Sequence, residues 1–189
     1  MTRIIGGVAG GRRLGTPPGA RTRPTSDRVR EALFSALESE RGTLTGARVL
    51  DLYAGSGALA LEAASRGAET VVAVESDRRT ARLIGENARG LGLHCRVVVQ
   101  PVERWLAGSI DHSFDIVLAD PPYPLGNPDL VRVLALLAGR LTEGATVVVE
   151  RSARTPEPEW PDGLEPVRRR DYGETTLWYV RAAAREPGA

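Results

Sequence analysis

The sequence predicts an α/β domain: a Rossmann-like, doubly wound and mostly parallel sheet that ends in an antiparallel hairpin, preceded by a basic N-terminal arm. Three observations predict it. Strand-like and helix-like segments alternate in strict order between Gly46 and Glu150. The strand-like segments are unbroken apolar runs, such as Val71–Val74, Val97–Val99, Ile116–Leu118 and Val147–Val149. Such runs suit strands covered on both faces, as in a parallel sheet. The first strand also ends in a glycine turn, Asp51-Leu52-Tyr53-Ala54-Gly55-Ser56-Gly57.

Each element has its own signal. Residues 1–24 are rich in Gly, Arg, Pro and Thr, and Ile4, Ile5, Val8 and Leu14 alternate weakly, which predicts an extended or short-hairpin arm. Pro24 and the group Thr25-Ser26-Asp27 mark a helix start: small hydroxyl caps, then an acid in the first turn. Val29, Leu33 and Leu37, with Phe34 beside them, give that helix one apolar face up to about Glu40. Next come a strand at Ala47–Tyr53, a helix at Gly57–Arg66 stopped by Gly67, and a strand at Thr70–Glu75. A helix at Asp77–Arg89 stopped by Gly90, a strand at His94–Gln100 and a short helix at Val102–Ala107 follow. A strand at Phe114–Asp120, a helix at Pro128–Gly139 and a strand at Ala145–Glu150 complete the alternation. Beyond a Pro/Glu loop at Arg151–Pro161, the runs Leu164–Asp171 and Thr175–Arg181 flank the turn Tyr172–Gly173, which reads as a β-hairpin. The expected organisation is an arm over 1–24, one domain over 25–183 and a frayed tail over 184–189.

Composition narrows the function classes. With 189 residues, 42% apolar and 26% charged, the chain suits one globular domain rather than a disordered one. One cysteine, Cys95, excludes a disulfide framework, and His94 and His112 are too few for a metal site, so no metal is expected. The apolar stretch Leu130–Leu141 is broken by Arg132 and Arg140, which argues against a membrane span. Arg12-Arg13 leads into Gly15, Pro17 and Pro18 rather than an apolar export segment, so a cytoplasmic setting is expected. Net charge is only +1, but residues 1–30 hold Arg3, Arg12, Arg13, Arg21, Arg23, Arg28 and Arg30 against the single acid Asp27. A basic arm on a slightly acidic body suggests a polyanionic partner, and these seven arginines are its candidate contacts.

Three motifs carry chemistry. Glycines in the Asp51–Gly57 turn let backbone approach a ligand where a helix presents free N–H groups. Alone this turn also satisfies a dinucleotide fingerprint through Gly55, Gly57 and Ala60. Glu75, at the end of the second strand, is placed to accept ribose hydroxyls, while Ser76 and Asp77 suit the next helix start. Asp120-Pro121-Pro122-Tyr123 is the most specific element: a stiff turn in which carbonyl oxygens and the Asp carboxylate can accept from an –NH₂ group, and an aromatic face can stack on a planar ring. The remaining residues read plainly. Trp105 and Trp178 suit core anchors, Cys95 a buried strand position, and His112 a polar loop. Arg168-Arg169-Arg170 suits either a basic surface or a solvent-facing edge strand.

Together these motifs resemble the class I S-adenosylmethionine-dependent methyltransferases that modify exocyclic amines. Arg3-Ile4-Ile5-Gly6-Gly7, Arg23-Pro24-Thr25-Ser26-Asp27-Arg28-Val29-Arg30-Glu31-Ala32-Leu33-Phe34, Asp51–Leu61 and Tyr172-Gly173-Glu174-Thr175 resemble, more narrowly, the RsmD family. The resemblance covers roughly residues 3–180. It implies methylation of guanine N2 in small-subunit (16S) ribosomal RNA, as naked RNA or as an assembled small ribosomal subunit, with S-adenosyl-L-methionine as cofactor. Asp120, Pro121 and Tyr123 are then the catalytic candidates. The cofactor candidates are Asp51, Tyr53, Ala54, Gly55, Ser56, Gly57, Glu75, Ser76, Val102 and Asp120. One departure stands out: the family places Asp or Asn after the third strand, where this chain has Pro101. Adenine recognition then falls to the Val102 N–H, neighbouring carbonyls, Gln100 or Glu103. The competing readings are a methyltransferase of a DNA base amine, cytosine or a protein glutamine, an NAD-dependent oxidoreductase, and a non-catalytic RNA-binding module. Nothing in the sequence demands a dimer, and a monomer is expected.

Overall fold

The computed structural model describes residues 2–17, 26–109 and 113–184. Its centre is a seven-stranded sheet: β1 (Arg48–Leu52), β2 (Thr70–Glu75), β3 (Arg96–Val99), β4 (Phe114–Ala119), β5 (Leu141–Ser152), β6 (Leu164–Tyr172) and β7 (Thr175–Ala182). The spatial order is β3-β2-β1-β4-β5-β7-β6. The first five strands pair in parallel, and β7 then runs antiparallel between β5 and β6. The helices are α1 (Asp27–Arg41), α2 (Ala58–Ser65), α3 (Arg78–Leu91), α4 (Val102–Ala107) and α5 (Asn127–Ala138). The doubly wound fold expected from the sequence is the one observed. No helix of the described residues is long and apolar enough to cross a membrane.

Two apolar layers cover the sheet. Leu130, Val133, Leu134 and Leu137 of α5 join Val102 and Leu106 of α4 against Leu50, Leu52, Val117, Val147 and Val149 on one face. On the other, Val29, Leu33, Phe34 and Leu37 of α1 join Leu59, Ala60 and Ile84 of α2 and α3 against Val49, Ala73, Ile116 and Leu118. Alternate residues of β1 thus serve opposite layers, which is why these strands show no polar face in sequence. Trp178 is buried, edge-on to Trp160, and Trp105 packs against Phe114, so both tryptophans anchor cores.

Helix boundaries follow local chemistry where caps decide and packing where they do not. Ser26 caps α1 by accepting from Val29 N (3.3 Å), and Gly42 ends it at φ +86°. Asp77 caps α3 by accepting from Thr80 N (2.8 Å). The sequence predicts a stop at Gly90, but the helix runs to Leu91 and ends on left-handed Gly92. Ala88 and Leu91 are buried there against the arm, and that contact outweighs the propensity cost of one helical glycine. Similarly, β5 starts at Leu141 rather than Ala145, because a register shift against β4 and Gly144 at φ +69° carry the strand through a segment that reads as a turn.

Residues 2–17 form a docked segment rather than a loose tail. Arg3 and Arg13 make an isolated antiparallel bridge, and Gly7–Ala9 is a 3-10 turn. Ile4, Ala9 and Leu14 bury against Leu61, Ala88 and Leu91. The fully buried Glu62 carboxylate accepts from Ile5 N (2.7 Å) and Gly6 N (2.8 Å). Arg66 donates to Glu62 (2.8 Å), Glu38 (3.0 Å) and Glu31 (3.1 Å), so one guanidinium ties the arm, α1 and α2 together. A Cβ on Gly7 would lie 1.9 Å from Ser65 O, which explains the glycine.

Arg30, expected on the RNA-binding arm, is corrected by this arrangement. Its side chain is fully buried, donating to Arg3 O and Asp27 Oδ1 at 2.7 Å each, and so it holds the arm to α1 instead of facing a partner. Replacing Glu62 by Ala leaves the amides of Ile5 and Gly6 without their acceptor and takes from the largely buried Arg66 the one fully buried carboxylate among its three partners. Equilibrium denaturation should record a loss of about 3 kcal/mol, the scale of breaking a buried pair. Hydrogen exchange should accelerate at Ile5 and Gly6.

Candidate active site

Strand register builds the site. Val74, Leu52, Ala119 and Val149 pair across neighbouring strands. The next residues along those strands, Glu75, Tyr53, Asp120 and Glu150, therefore form one row at the carboxyl edge of the sheet. The strand order reverses between β1 and β4, and ligands bind α/β sheets in the crevice such a reversal opens. A cavity of about 440 Å³ lies there, in the size range of small-molecule sites. Gly55, Glu75, Ser76, Val102 and Glu103 line it together with Asp120, Pro121, Pro122 and Tyr123.

The two glycines of the turn divide its labour. At Gly55 (φ +56°) a Cβ would meet nothing nearer than Tyr53 O at 4.0 Å, so the backbone is open toward a ligand. Gly57 (φ +79°) serves packing instead. A Cβ there would sit 2.8 Å from Ile84 Cγ2, so this glycine seats the turn on α3. Ala54 N donates to Val74 O (3.0 Å), and Ser56 O accepts from Asn87 Nδ2 (3.2 Å). Ala54, Ser56, Gly57 and Asp51, all expected at the cofactor, are not among the cavity's lining residues. Asp51 lies buried behind the turn, where Oδ2 accepts from Ala60 N (2.9 Å). Burial, with Glu75 nearby, pushes its carboxyl up to about 7.

Glu75 splines two loops. Oε2 accepts from Gly55 N (2.9 Å) and Oε1 from Asp77 N (2.8 Å). Each oxygen retains a lone pair for a ligand hydroxyl. Across the cavity, burial raises the Asp120 carboxyl well above its usual range; Glu150 and Asp51 add to the rise and Arg151 opposes it. Pro121 is buried, whereas Tyr123 is 74% exposed at the mouth, a free aromatic face. Tyr53 is the one non-glycine residue at positive φ (62°) among those described. Its hydroxyl is buried without a hydrogen-bond partner, and burial raises its pKa.

Sequence reasoning missed Arg151 and Glu150. The expected strand ends at Glu150, but β5 continues to Ser152 and carries Arg151 into the cavity wall. Arg151 is buried, and its Nη2 donates to Leu125 O (2.9 Å) and Asn127 Oδ1 (3.2 Å), bracing the chain just after Tyr123. Glu75, Glu103, Asp120, Glu150 and Glu174 line the cavity against this one described arginine, a field that favours a cationic ligand. Pro101 and Val102 also line it, while Gln100 does not. Of the arm arginines, Arg3, Arg12, Arg13 and Arg28 are exposed, although Arg3 pairs with Asp27 and Arg12 donates to Leu91 O (3.0 Å) and Gly90 O. Arg21, Arg23 and His112 lie outside the described residues. Cys95 is half-buried, its thiol pushed up to about 12 by burial beside Asp51.

The family description that matches this chain is "Conserved hypothetical protein 95", over residues 2–181. The chain belongs to this family, the RsmD family of the sequence resemblance. It is 35% identical over 189 residues to the "Ribosomal RNA small subunit methyltransferase D" of Escherichia coli K12, covering 99% of this chain and 93% of that one. A hypothetical protein of Thermus thermophilus superposes with a TM-score of 0.82 at 37% identity, over 95% of this chain and 98% of the other. The magnesium protoporphyrin IX methyltransferase of Synechocystis PCC 6803, solved with bound SAM, shares the fold at 12% identity, with a TM-score of 0.67 over 82% of this chain and 79% of that one.

The buried acid behind the RsmD turn has a pH signature. A carboxyl raised on folding stabilises the protein fully below its ordinary value of 3.8 and loses that contribution as pH rises to about 7. Denaturant unfolding should therefore show wild-type stability falling from pH 4 to 7 more steeply than that of Asp51→Asn, which keeps an oxygen for Ala60 N. Equal slopes would mean that folded Asp51 ionises in its ordinary range.

Proposed function

We propose that this chain transfers a methyl group from S-adenosyl-L-methionine to the exocyclic N2 amine of a guanine in small-subunit ribosomal RNA. The observation that carries the reading is the cavity that Gly55 and Glu75 share with the turn Asp120–Tyr123. Membership of the RsmD family, and the name of the Escherichia coli relative, support ribosomal RNA as the target. An NAD-dependent dehydrogenase would leave the Asp-Pro-Pro-Tyr turn without a role. The protein acts as a monomer on RNA, free or within the small subunit.

The residues fit the cofactor. Glu75 would accept from ribose hydroxyls, Gly55 offers open backbone, and Val102 and Glu103, at the first turn of α4, line the wall that would take the adenine. The acidic wall favours a sulfonium cation. The cofactor supplies a methyl group on positive sulfur, so the transfer is a displacement that asks for no metal. Guanine N2 is a weak nucleophile because its lone pair is delocalised into the ring. Asp120 and the Pro121 carbonyl accept its two N–H bonds, hold the nitrogen in line and favour the positive charge that builds there. Asp120 need not take the proton early, since the methylated amine is strongly acidic while cationic. Tyr123 stacks on the base once it is swung out of its helix. The exposed arginines of the arm and α1 contact phosphates.

The decisive experiment incubates the protein with labelled S-adenosylmethionine and small ribosomal subunits lacking the modification, then maps the labelled nucleoside. Label in N2-methylguanosine is the expected result, and label in another nucleoside refutes the assignment. Asp120→Ala should lower methylation by about 10²-fold or more, the scale of losing one preorganised group, while calorimetry finds cofactor affinity nearly intact. Turnover near that of wild type would remove Asp120 from the chemistry. If Arg3, Arg12, Arg13 and Arg28 each engage a single-strand phosphate, log affinity should fall against log salt with a slope of about −3. A flat response would exclude the arm as a phosphate contact.

A further inference from the structure

Helix α3 is the wall shared by two parts of the molecule that serve different ends. On its inner side, Ile84 supports Gly57 of the cofactor turn. One turn further along, Ala88 and Leu91 bury against Ile4, Ala9 and Leu14 of the arm, and Arg12 donates to the carbonyls of Gly90 and Leu91 at the helix end. Between these two contacts sits Asn87, itself buried.

The Asn87 side chain bonds to both parts at once. Its Oδ1 accepts from Gly15 N (2.8 Å), and its Nδ2 donates to Gly15 O (3.0 Å), so it grips both polar groups of one arm residue. The same Nδ2 donates to Ser56 O (3.2 Å), between Gly55 and Gly57. The fit is tight: a Cβ on Gly15 would stand 3.0 Å from Leu83 Cδ1 and 3.2 Å from Asn87 Oδ1. A carboxamide is planar and rigid. A displacement of the Ser56 carbonyl therefore turns the same plane that Gly15 rests on, and the reverse holds equally.

We propose that Asn87 is a positioning residue that couples the cofactor turn to the N-terminal arm, so that bound cofactor and bound RNA each strengthen the binding of the other. The inference rests on the reading of the arm as an RNA contact and of the turn as a cofactor contact. Its physical content is a shared ordering cost. Fixing the turn fixes the Asn87 plane, which leaves less freedom to be lost when the arm is fixed, and linkage makes the effect reciprocal. Functionally, the enzyme holds RNA tightly when it is charged with cofactor and loosely when it is empty.

The test measures the dissociation constant of small-subunit ribosomal RNA for the full chain, with and without saturating S-adenosylhomocysteine, which occupies the cofactor site without reaction. Wild type should bind RNA about fivefold more tightly or better with that ligand present, the lower range of allosteric couplings. Asn87→Asp keeps the shape and the bond from Gly15 N but sets a carboxylate against two carbonyls, and it should bring the ratio close to one. Gly15→Ala perturbs the same seat from the arm side with Asn87 intact and should do likewise. A merely structural role would change melting temperature or both affinities but not their ratio. A wild-type ratio of one, or a ratio retained in both variants, overturns the coupling alone. Failure of the wild type to bind either ligand overturns the functional reading and the coupling with it.

Discussion

The structure depends on one constraint: the parallel register that ends β1, β2, β4 and β5 at a common level. Because Leu52 pairs with both Val74 and Ala119, and Ala119 with Val149, the first residues past the pairing fall side by side. Those residues, Tyr53, Glu75, Asp120 and Glu150, line the cavity. A slip of one residue in any of these strands would send its side chains to the opposite face, and the apolar layers above and below forbid that. Core packing thus fixes the separation between Glu75 and Asp120. The loops need only shape what the strands have already placed.

Electrostatics at this edge runs against stability. Burial raises the Asp120 carboxyl, Glu150 and Asp51 add to the rise and Arg151 opposes it, while burial and Glu75 raise Asp51 behind it. In a protein built for stability alone, such a cluster would be replaced by apolar or paired groups. Its place at the carboxyl edge, beside the cavity, marks a candidate functional site rather than a stabilising feature.

Much of this was legible in sequence because the informative features are local. Continuous apolar runs announce buried strands, and the Asp51–Gly57 and Asp120–Tyr123 motifs are contiguous. What escaped is non-local. Glu62 sits in an apolar helical stretch with no nearby hint that it receives Ile5 and Gly6, more than fifty residues away. Arg151 looks like the start of a loop, because nothing local says that β5 runs past Glu150. Arg30 is different, for its signal is present: Arg30, Leu33, Phe34 and Leu37 follow helical spacing, which sets the arginine on the buried stripe of α1. The dense positive charge around it favours a surface reading. The division between the two glycines is also hidden, since close approach to Ile84 and open approach to a ligand demand the same residue type.

The placement of β7 inside the sheet has a consequence for biosynthesis. β7 lies between β5 and β6, yet it is made after both. Until it leaves the ribosome, the backbone of β5 along Val147–Val149 has no neighbour on one side, and an open apolar edge of that kind invites pairing with other nascent chains. The finished protein closes the risk by inserting β7 and leaving outermost a strand interrupted by Pro166, bulged at Val167 and studded with Arg168, Arg169 and Arg170. The vulnerable interval is therefore the synthesis of the closing hairpin, and premature termination near residue 160 would yield a sticky product rather than a shortened enzyme.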